Sequence, residues 1–383
     1  MVKTTGFAPL RDERFEKYTS VLMRCVGNSD RAAPLRLYCA GLLLPGERKS
    51  VEPMAARRAP GDVRSTDQRM HQLVADSPWR DDQVLAAVRE YALLVFRAHG
   101  GIAAWMVYDT EIPKKGKHSV AVAWQYCGVL GKQDNCQVAV SLSVANERLS
   151  LPMAYRLYLP ENWAESKELR KKAGIPGDVV FETKVKIALS EIRKSAEQGV
   201  PQGILLADAG YGNTTSFRKG MTALGLTYMV GIQTTATVWP EGEVPLLPPG
   251  RRGKKGRRPT LLTWDKGHQP VPVRDLARIV GKARFRSITW RQGTRTPMTS
   301  DFHALRFRRA HGDYKTRIAR DEEWLLIEWP KGRTEPTKYW PSTMPANTPL
   351  PFTRADGEAK VEDRARLRRA EGRNRARPLR GPR

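Results

Sequence analysis

The chain has 383 residues and carries 66 Lys and Arg against 40 Asp and Glu, which gives a net charge of +26. Its 40% hydrophobic content is enough for a buried core, whereas four cysteines are too few for a disulfide-stapled scaffold. The N-terminal stretch has no apolar run after its charges, and no segment offers the roughly 18 apolar residues of a membrane span. We therefore expect a cytoplasmic protein of two or three domains that has no membrane partner.

Residues 1–100 are predicted to form a helical N-terminal region. Apolar residues recur at helical spacing in LRDERFEKYTSVLMRCV, and DQVLAAVREYALLVFRAHG continues the pattern to a stop at Gly100. The basic charge favours nucleic acid as a partner, because each neutralised phosphate releases a condensed counterion. The region is then either a grip for DNA ends or a structural cap. A basic protein without any specific polyanion is the remaining alternative.

The pattern changes to strands over residues 101–233. The segments AAWMVYD, SVAVAWQYC and CQVAVSLSVA are short apolar runs, and GILLADAGYG contains a buried strand that ends in an acid. A helix is predicted over about 181–198 from the spacing of Val185, Leu189 and Ile192. A meander of strands followed by strand–helix alternation predicts an α/β fold with a mixed sheet flanked by helices.

Residues 234–320 are predicted to be an inserted, basic, β-rich subdomain, and 321–350 a return to the core. The insertion begins with the proline-rich WPEGEVPLLPPG, and strand-like pieces such as HALRFRRAH follow later. Between them lies a run of basic residues, namely Arg251, Arg252, Lys254, Lys255, Arg257 and Arg258. Such a run is either a solvated loop or a contact for the DNA backbone.

Two acids each close an apolar strand and lead into a loop. Asp109 ends AAWMVYD, and Asp208 ends GILLAD. Open α/β sheets bind ligands at the carboxyl ends of such strands, and Mg²⁺ commonly uses one or two carboxylates together with water and phosphate oxygens. We therefore predict that Asp109 and Asp208 are catalytic ligands of Mg²⁺, or of Mn²⁺, in a phosphoryl displacement. The alternative is that both acids are helix caps or turn residues.

Further candidates and exclusions come from the remaining motifs. The residues after the first acid, Lys114, Lys115, Lys117 and His118, are predicted to contact DNA phosphates, the alternative being a solvated turn. The cysteines form no CxxC pair, which argues against zinc, and no P-loop motif supports nucleotide hydrolysis. Most of the ten tryptophans are predicted to be core or domain contacts rather than base-stacking platforms.

The segments PKKGKHSVAVAWQYCGVLGKQDNCQVAVSLSVA, GILLADAGYGN and EEWLLIEWP resemble the insertion-sequence DDE transposases, and the similarity runs over residues 10–350. The resemblance implies an RNase H-like fold, three metal-binding acids and Mg²⁺-dependent cleavage at transposon ends, followed by 3′-hydroxyl attack on target DNA. It matches Asp109 and Asp208 to the first two acids. Relatives often have two adjacent acids where this chain has Tyr108 and Asp109, and glycine where it has Glu111. The implied partner is double-stranded DNA, and a homodimer on DNA is compatible with the resemblance.

The third acid of such enzymes, a Glu on a late helix, has no match in this chain. Residues 351–383 carry eleven basic and five acidic residues and almost nothing apolar, which predicts a basic, disordered tail. With suitable synonymous codons from Gly357 onward, the frame one base later reads AKLRWKIERDYAELKAEIGLDHYEG, which resembles the ending of relatives. We therefore expect a frameshift near residues 350–353, an ordinary basic tail for DNA being the alternative.

Three functions are compatible with these features. The first is a DDE transposase whose cleavage is impaired by the loss of the third acid. The second is a non-catalytic DNA-binding remnant that keeps the fold and the charge, and the third is a metal-dependent nuclease on RNA or RNA–DNA hybrids. Glu328 lies in a strand-like segment rather than on a late helix, so neither it nor Glu322 is expected to replace the missing acid.

Overall fold

The computed structural model describes residues 13–45, 49–248, 260–291, 296–310 and 316–348. The chain divides into two compact units, Met1–His99 and Gly100–Arg383. The basic run at 251–258 and the tail at 351–383 lie outside the described residues. Within the described ranges, no helix combines the length and the apolar character that crossing a membrane requires.

The first unit is helical, which confirms the prediction for this region. Its helices are α1 (Glu13–Met23), α2 (Ala32–Leu43), α3 (Val51–Arg58), α4 (Val63–Ala75) and α5 (Asp81–Ala98). Met54 of α3 and Met70 of α4 are fully buried and share one apolar cluster. Gly41 of α2 lies against Met54, because a Cβ at Gly41 would come within 2.9 Å of the Met54 Cβ. The helices therefore pack through small and flexible apolar side chains.

The second unit is built on one sheet of twelve strands. The strands are β1 (Ala104–Pro113), β2 (Ala123–Cys127), β3 (Lys132–Ala145), β4 (Ser150–Leu157), β5 (Ile204–Ala207), β6 (Tyr228–Val230), β7 (Thr237–Pro240), β8 (Val271–Pro272), β9 (Arg286–Arg291), β10 (Met298–Arg309), β11 (Glu323–Trp329) and β12 (Lys338–Ser342). The helices are α6 (Glu161–Glu165), α7 (Lys167–Ala173), α8 (Lys184–Glu197), α9 (Ala209–Gly212), α10 (Thr215–Ala223) and α11 (Val273–Val280). The predicted mixed sheet flanked by helices is confirmed, and the arrangement is RNase H-like.

The sheet runs in the order β2-β3-β1-β5-β6-β12-β11-β10-β7-β8, with β4 paired to β3 and β9 to β10. Strands β1, β5 and β6 are parallel, whereas β3 is antiparallel to β1. The parallel strands are continuous apolar runs because both of their faces are covered, and Leu205 and Val230 are fully buried. Helices α8 and α10 pack closely, since a Cβ at Gly220 would lie 2.6 Å from the Leu189 side chain.

Strands β7 to β12 extend this same sheet. Phe307 of β10 and Leu276 of α11 belong to the apolar core of this half. The two halves of the sheet meet where β6 pairs with β12 through one register pair, Met229 with Ser342. The region at 234–320, predicted as a β-rich insertion, thus contributes strands to the sheet that also holds the two acids.

Candidate active site

Asp109 and Asp208 both lie just beyond the end of the parallel pairing between β1 and β5. Strand β1 pairs with β5 only as far as Val107 and Ala207, and Asp208 directly follows β5. The sequence predicted that Asp109 ends its strand, and this is wrong, because β1 continues along β3 to Pro113. Asp109 lies two residues beyond the last β1–β5 pair. Open α/β sheets bind ligands in the crevice at this end of their parallel strands.

Asp208 is the N-cap of the short helix α9. The alternative that this acid is a helix cap therefore describes part of its role. Its Oδ1 accepts hydrogen bonds from the backbone N–H groups of Gly210 (2.9 Å) and Tyr211 (3.3 Å). Within the described part of the chain, no hydrogen bond reaches its Oδ2. Helix α9 is held tightly against the end of β6, because a Cβ at Gly212 would lie 2.0 Å from the Gly231 carbonyl oxygen. This packing fixes the position of the Asp208 carboxylate.

Both carboxylate oxygens of Asp109 have protein partners. The Tyr211 hydroxyl donates to Oδ1 over 2.6 Å, and the Lys184 ammonium donates to Oδ2 over 2.7 Å. Lys184 is the first residue of α8, and its ammonium also lies 5.4 Å from the centre of the Tyr158 ring. Tyr211 therefore joins the two acids, since its hydroxyl binds one and its backbone N–H binds the other.

The electrostatics of the pair reflect restricted hydration and mutual repulsion. The surrounding protein removes part of the water around the Asp208 carboxyl, which raises its pKa although the residue keeps an exposed surface. The Tyr211 and Gly210 N–H groups oppose this rise, and the charge of Asp109 adds to it. Burial, followed by the Asp109 charge, raises the pKa of Tyr211 strongly, so this side chain remains a neutral phenol donor. A cation between the acids would relieve their repulsion.

Sequence reasoning did not identify Lys184, Tyr211 or the neighbouring Glu111 as residues of this site. Tyr211 lies three residues after Asp208 in ADAGYG, and that spacing on a helical turn is the signal that was available. Lys184 has no such signal, because it is one of many lysines and reaches Asp109 only through the tertiary fold. Glu111 contributes to the raised pKa of Tyr211 and faces Gly128, where a Cβ would lie 3.0 Å from its Oε1.

The predicted DNA-contacting residues lie beyond the acids rather than beside them. Lys114 directly follows β1, and its backbone N–H donates to the Asn135 carbonyl over 2.9 Å. Lys115, Lys117 and His118 are exposed. At the rise of a β-strand, Lys114 is about 16 Å from Asp109 along the chain. The other predicted contacts, Arg251, Arg252, Lys254, Lys255, Arg257 and Arg258, lie outside the described residues.

Among the described residues, no group of three or more His, Cys, Asp and Glu is placed to hold a metal ion. Glu322 accepts a hydrogen bond from the Gly242 N–H over 2.9 Å. Glu328 is buried in β11, with the Lys338 ammonium at 3.7 Å. These two glutamates are thus engaged elsewhere, and that neither replaces the missing acid stays a prediction.

Comparisons with known proteins bear on this arrangement. The model of the DDE superfamily endonuclease family matches residues 21–297. The chain is also similar to a probable transposase for insertion sequence element IS701 from Microchaete diplosiphon, with 29% identity over 168 residues. That match covers 44% of this chain and 41% of the relative, so less than half of the relative's length is spanned.

Proposed function

This chain belongs to the DDE superfamily endonucleases, and from that premise we propose that it is a DNA transposase acting at transposon ends. The observation that carries the proposal is the placement of Asp109 and Asp208 just beyond the last β1–β5 pair, where Tyr211 joins them. The substrate would be double-stranded DNA, first at the transposon ends and then at the target. The net charge of +26 favours such a polyanion.

Enzymes of this superfamily depend on a divalent metal, generally Mg²⁺. The donor chemistry fits, because two carboxylates lie together and Asp208 Oδ2 receives no hydrogen bond from the described residues. Asp109 and Asp208 would hold Mg²⁺ or Mn²⁺, which when bound activates a water or a 3′-hydroxyl and stabilises the leaving oxygen.

Two other residues of the site hold the Asp109 carboxylate. The Tyr211 hydroxyl fixes the direction of the carboxylate through Oδ1. The Lys184 ammonium balances its charge through Oδ2 and would have to release that oxygen if Asp109 held a metal through it. Lys184 would then be free to turn toward a phosphate of the DNA, since its aliphatic stem is flexible.

We further propose that this chain cuts DNA poorly. Catalytic groups that act as a unit fail together when one is removed, and the described residues place no group of three or more His, Cys, Asp and Glu where it could hold a metal ion. A frameshift near residues 350–353 would account for the missing Glu. A DNA-binding remnant without catalysis is the second candidate, and it is favoured by the occupation of both Asp109 oxygens by Lys184 and Tyr211.

The experiment compares the chain with a version whose reading frame is restored, after sequencing of the gene across codons 345–383. We expect both to bind DNA that carries the transposon end, and the restored version to cut it in Mg²⁺ about 10³-fold faster or more. Asp109→Asn in the restored version should abolish cutting and keep binding. Cleavage that survives Asp109→Asn and Asp208→Asn would contradict the assignment of these acids. Preferential cutting of an RNA–DNA hybrid would instead favour the nuclease alternative.

A further inference from the structure

The β2–β3 hairpin presents two large aromatic side chains on an open face. Trp124 is 69% exposed and Tyr126 is 62% exposed, whereas Cys127 points to the opposite face and is fully buried. Within the described part of the chain, neither ring makes a hydrogen bond or a contact with another ring. The prediction of core or domain contacts was made for most of the ten tryptophans, and Trp124 is one that does not lie in a core. A paired Trp and Tyr surface of this kind is typical of an interaction site.

The exposure of these rings is built into the structure, because the hairpin is anchored at its base. The Trp163 indole N–H donates to the Val122 carbonyl over 2.8 Å, and the Gln137 amide donates to the Val120 carbonyl over 2.6 Å. On the buried face of the hairpin, Cys136 packs in an apolar cluster with Cys127 and Val138. The rings are consequently held on a rigid arm, which lowers the entropy cost of binding a partner.

The arm lies close to the acids. Strand β2 pairs with β3 over Lys132–Cys136, whereas β1 ends where Pro113 meets Cys136. The tip of the arm nevertheless lies beside β1, since a Cβ at Gly128 would lie 3.0 Å from the Glu111 Oε1. DNA engaged at the acids would therefore lie close to this arm.

Basic side chains lie next to the aromatic face. Asn135 is the cross-strand neighbour of Trp124, and its amide donates to the carbonyls of Lys114 (3.0 Å) and Gly116 (2.8 Å). These bonds hold the loop with the exposed Lys115 and Lys117 beside the hairpin. The arm thus combines flat apolar rings with positive charge, which is the composition of surfaces that bind single-stranded nucleic acid.

We propose that Trp124 and Tyr126 stack on unpaired bases of a DNA strand whose phosphates contact Lys115 and Lys117. The inference rests on the proposed function and adds a substrate feature to it. In a fully paired duplex the base faces are covered by their neighbours, so two exposed rings gain little from it. A strand end with unpaired nucleotides next to the cut offers those faces. The ligand is therefore DNA with a single-stranded overhang.

The test measures binding of the full chain to one duplex sequence, either blunt or with a four-nucleotide overhang that carries 2-aminopurine. Trp124→Ala should weaken binding to the overhang DNA roughly 5- to 150-fold and abolish the quenching of 2-aminopurine, whereas binding to blunt DNA stays within about twofold. Trp124→Phe should restore most of both signals. Trp264→Ala is the matched control, because that ring is 46% exposed and lies in the β7–β8 connection.

Equal losses on blunt and overhang DNA would overturn the proposal, and so would full quenching by Trp124→Ala. A changed elution volume of Trp124→Ala with unchanged DNA binding would assign the rings to contact between two copies of the chain, and would also overturn it. A version with the restored reading frame that quenches 2-aminopurine but never cuts contradicts the proposed cleavage and supports stacking. A chain that cuts, while Trp124→Ala binds overhang DNA normally, contradicts stacking alone.

Discussion

Tyr211 is the single side chain through which the two acids are mechanically linked. Its hydroxyl donates to Asp109, and the backbone N–H of the same residue donates to Asp208. Because the ring is buried, the hydroxyl cannot exchange this acceptor for water. The spacing of the two carboxylates is thus set before any ligand arrives, and a residue outside the acid pair determines it.

We predict that Tyr211→Phe lowers the free energy of unfolding by about 1 to 2 kcal/mol, because a hydrogen bond to a charged group is lost. The same change should tighten Mn²⁺ binding, since Asp109 Oδ1 no longer accepts a competing donor. Denaturant unfolding and electron paramagnetic resonance titration of Mn²⁺ measure the two effects. Tyr155→Phe is the control, because Tyr155 is 52% exposed and its change should stay within about 0.5 kcal/mol. Weaker Mn²⁺ binding by Tyr211→Phe would show that Tyr211 supports the metal form instead.

His303 supplies a pH-dependent contribution to stability. Burial lowers its pKa, the charges of Arg284 and Arg286 lower it further, and the hydrogen bond with the Arg284 carbonyl opposes them. The folded state therefore favours the neutral ring, so this contribution is present above the ordinary pKa of about 6.5 and is lost as the pH falls below it. We expect His303→Gln to flatten the fall in unfolding free energy between about pH 7 and pH 5. An unchanged slope in that window would contradict this assignment.

At the scale of single elements, helix α9 depends on the absence of a side chain at Gly212. A Cβ there would lie 2.0 Å from the Gly231 carbonyl oxygen. That oxygen belongs to the backbone, so no side-chain rotation can relieve the clash. Gly212→Ala should therefore cost about 1 to 3 kcal/mol of unfolding free energy and displace Asp208. Chemical denaturation measures the loss, and weakened Mn²⁺ binding reports the displacement. Gly177→Ala serves as the control, since a Cβ at Gly177 meets nothing within 4 Å.

Elements with strong local signals were predictable from the sequence. The helical spacing of Val185, Leu189 and Ile192 predicts the helix observed as α8, Lys184–Glu197. The apolar run before Asp208 predicts β5, because a strand covered on both faces needs no polar residue. The full length of β1 was not predictable, since its last residues are polar and form a strand only because β3 pairs with them.

The candidate site was predictable only as far as its two acids. The apolar strand before Asp208 predicts that this acid lies at the carboxyl end of a strand. The bond between Asp109 and Lys184 of α8, in contrast, joins residues 75 positions apart and has no local signal. The exposure of Trp124 was missed for a related reason. Alternation in AWQYC indicates a strand with one covered face, but the choice of the open face depends on what packs against the hairpin.

At the scale of the whole molecule, the charge of +26 predicts steep salt dependence of DNA binding. Each phosphate contact contributes a slope of about −0.9 to the plot of log affinity against log salt. The double change Lys115→Ala and Lys117→Ala should reduce the slope by roughly 2 and weaken blunt and overhang DNA alike. Lys171→Ala with Lys172→Ala on α7 removes the same charge from another exposed site and should leave the slope within about 0.5. Equal slopes for both double variants would mean that the 114–118 loop makes no specific phosphate contact.

The junction between β6 and β12 has a consequence for how the large unit opens. One register pair joins these strands, supported by a bridge from Ile232 to Tyr339, whereas β1 and β3 share ten consecutive pairs. Local opening costs less where fewer ladder bonds must break together. During hydrogen–deuterium exchange, the amides bordering this seam should therefore acquire deuterium before those shared by β1 and β3. On gentle heating the sheet would separate there first, leaving the strands that carry the acids still paired.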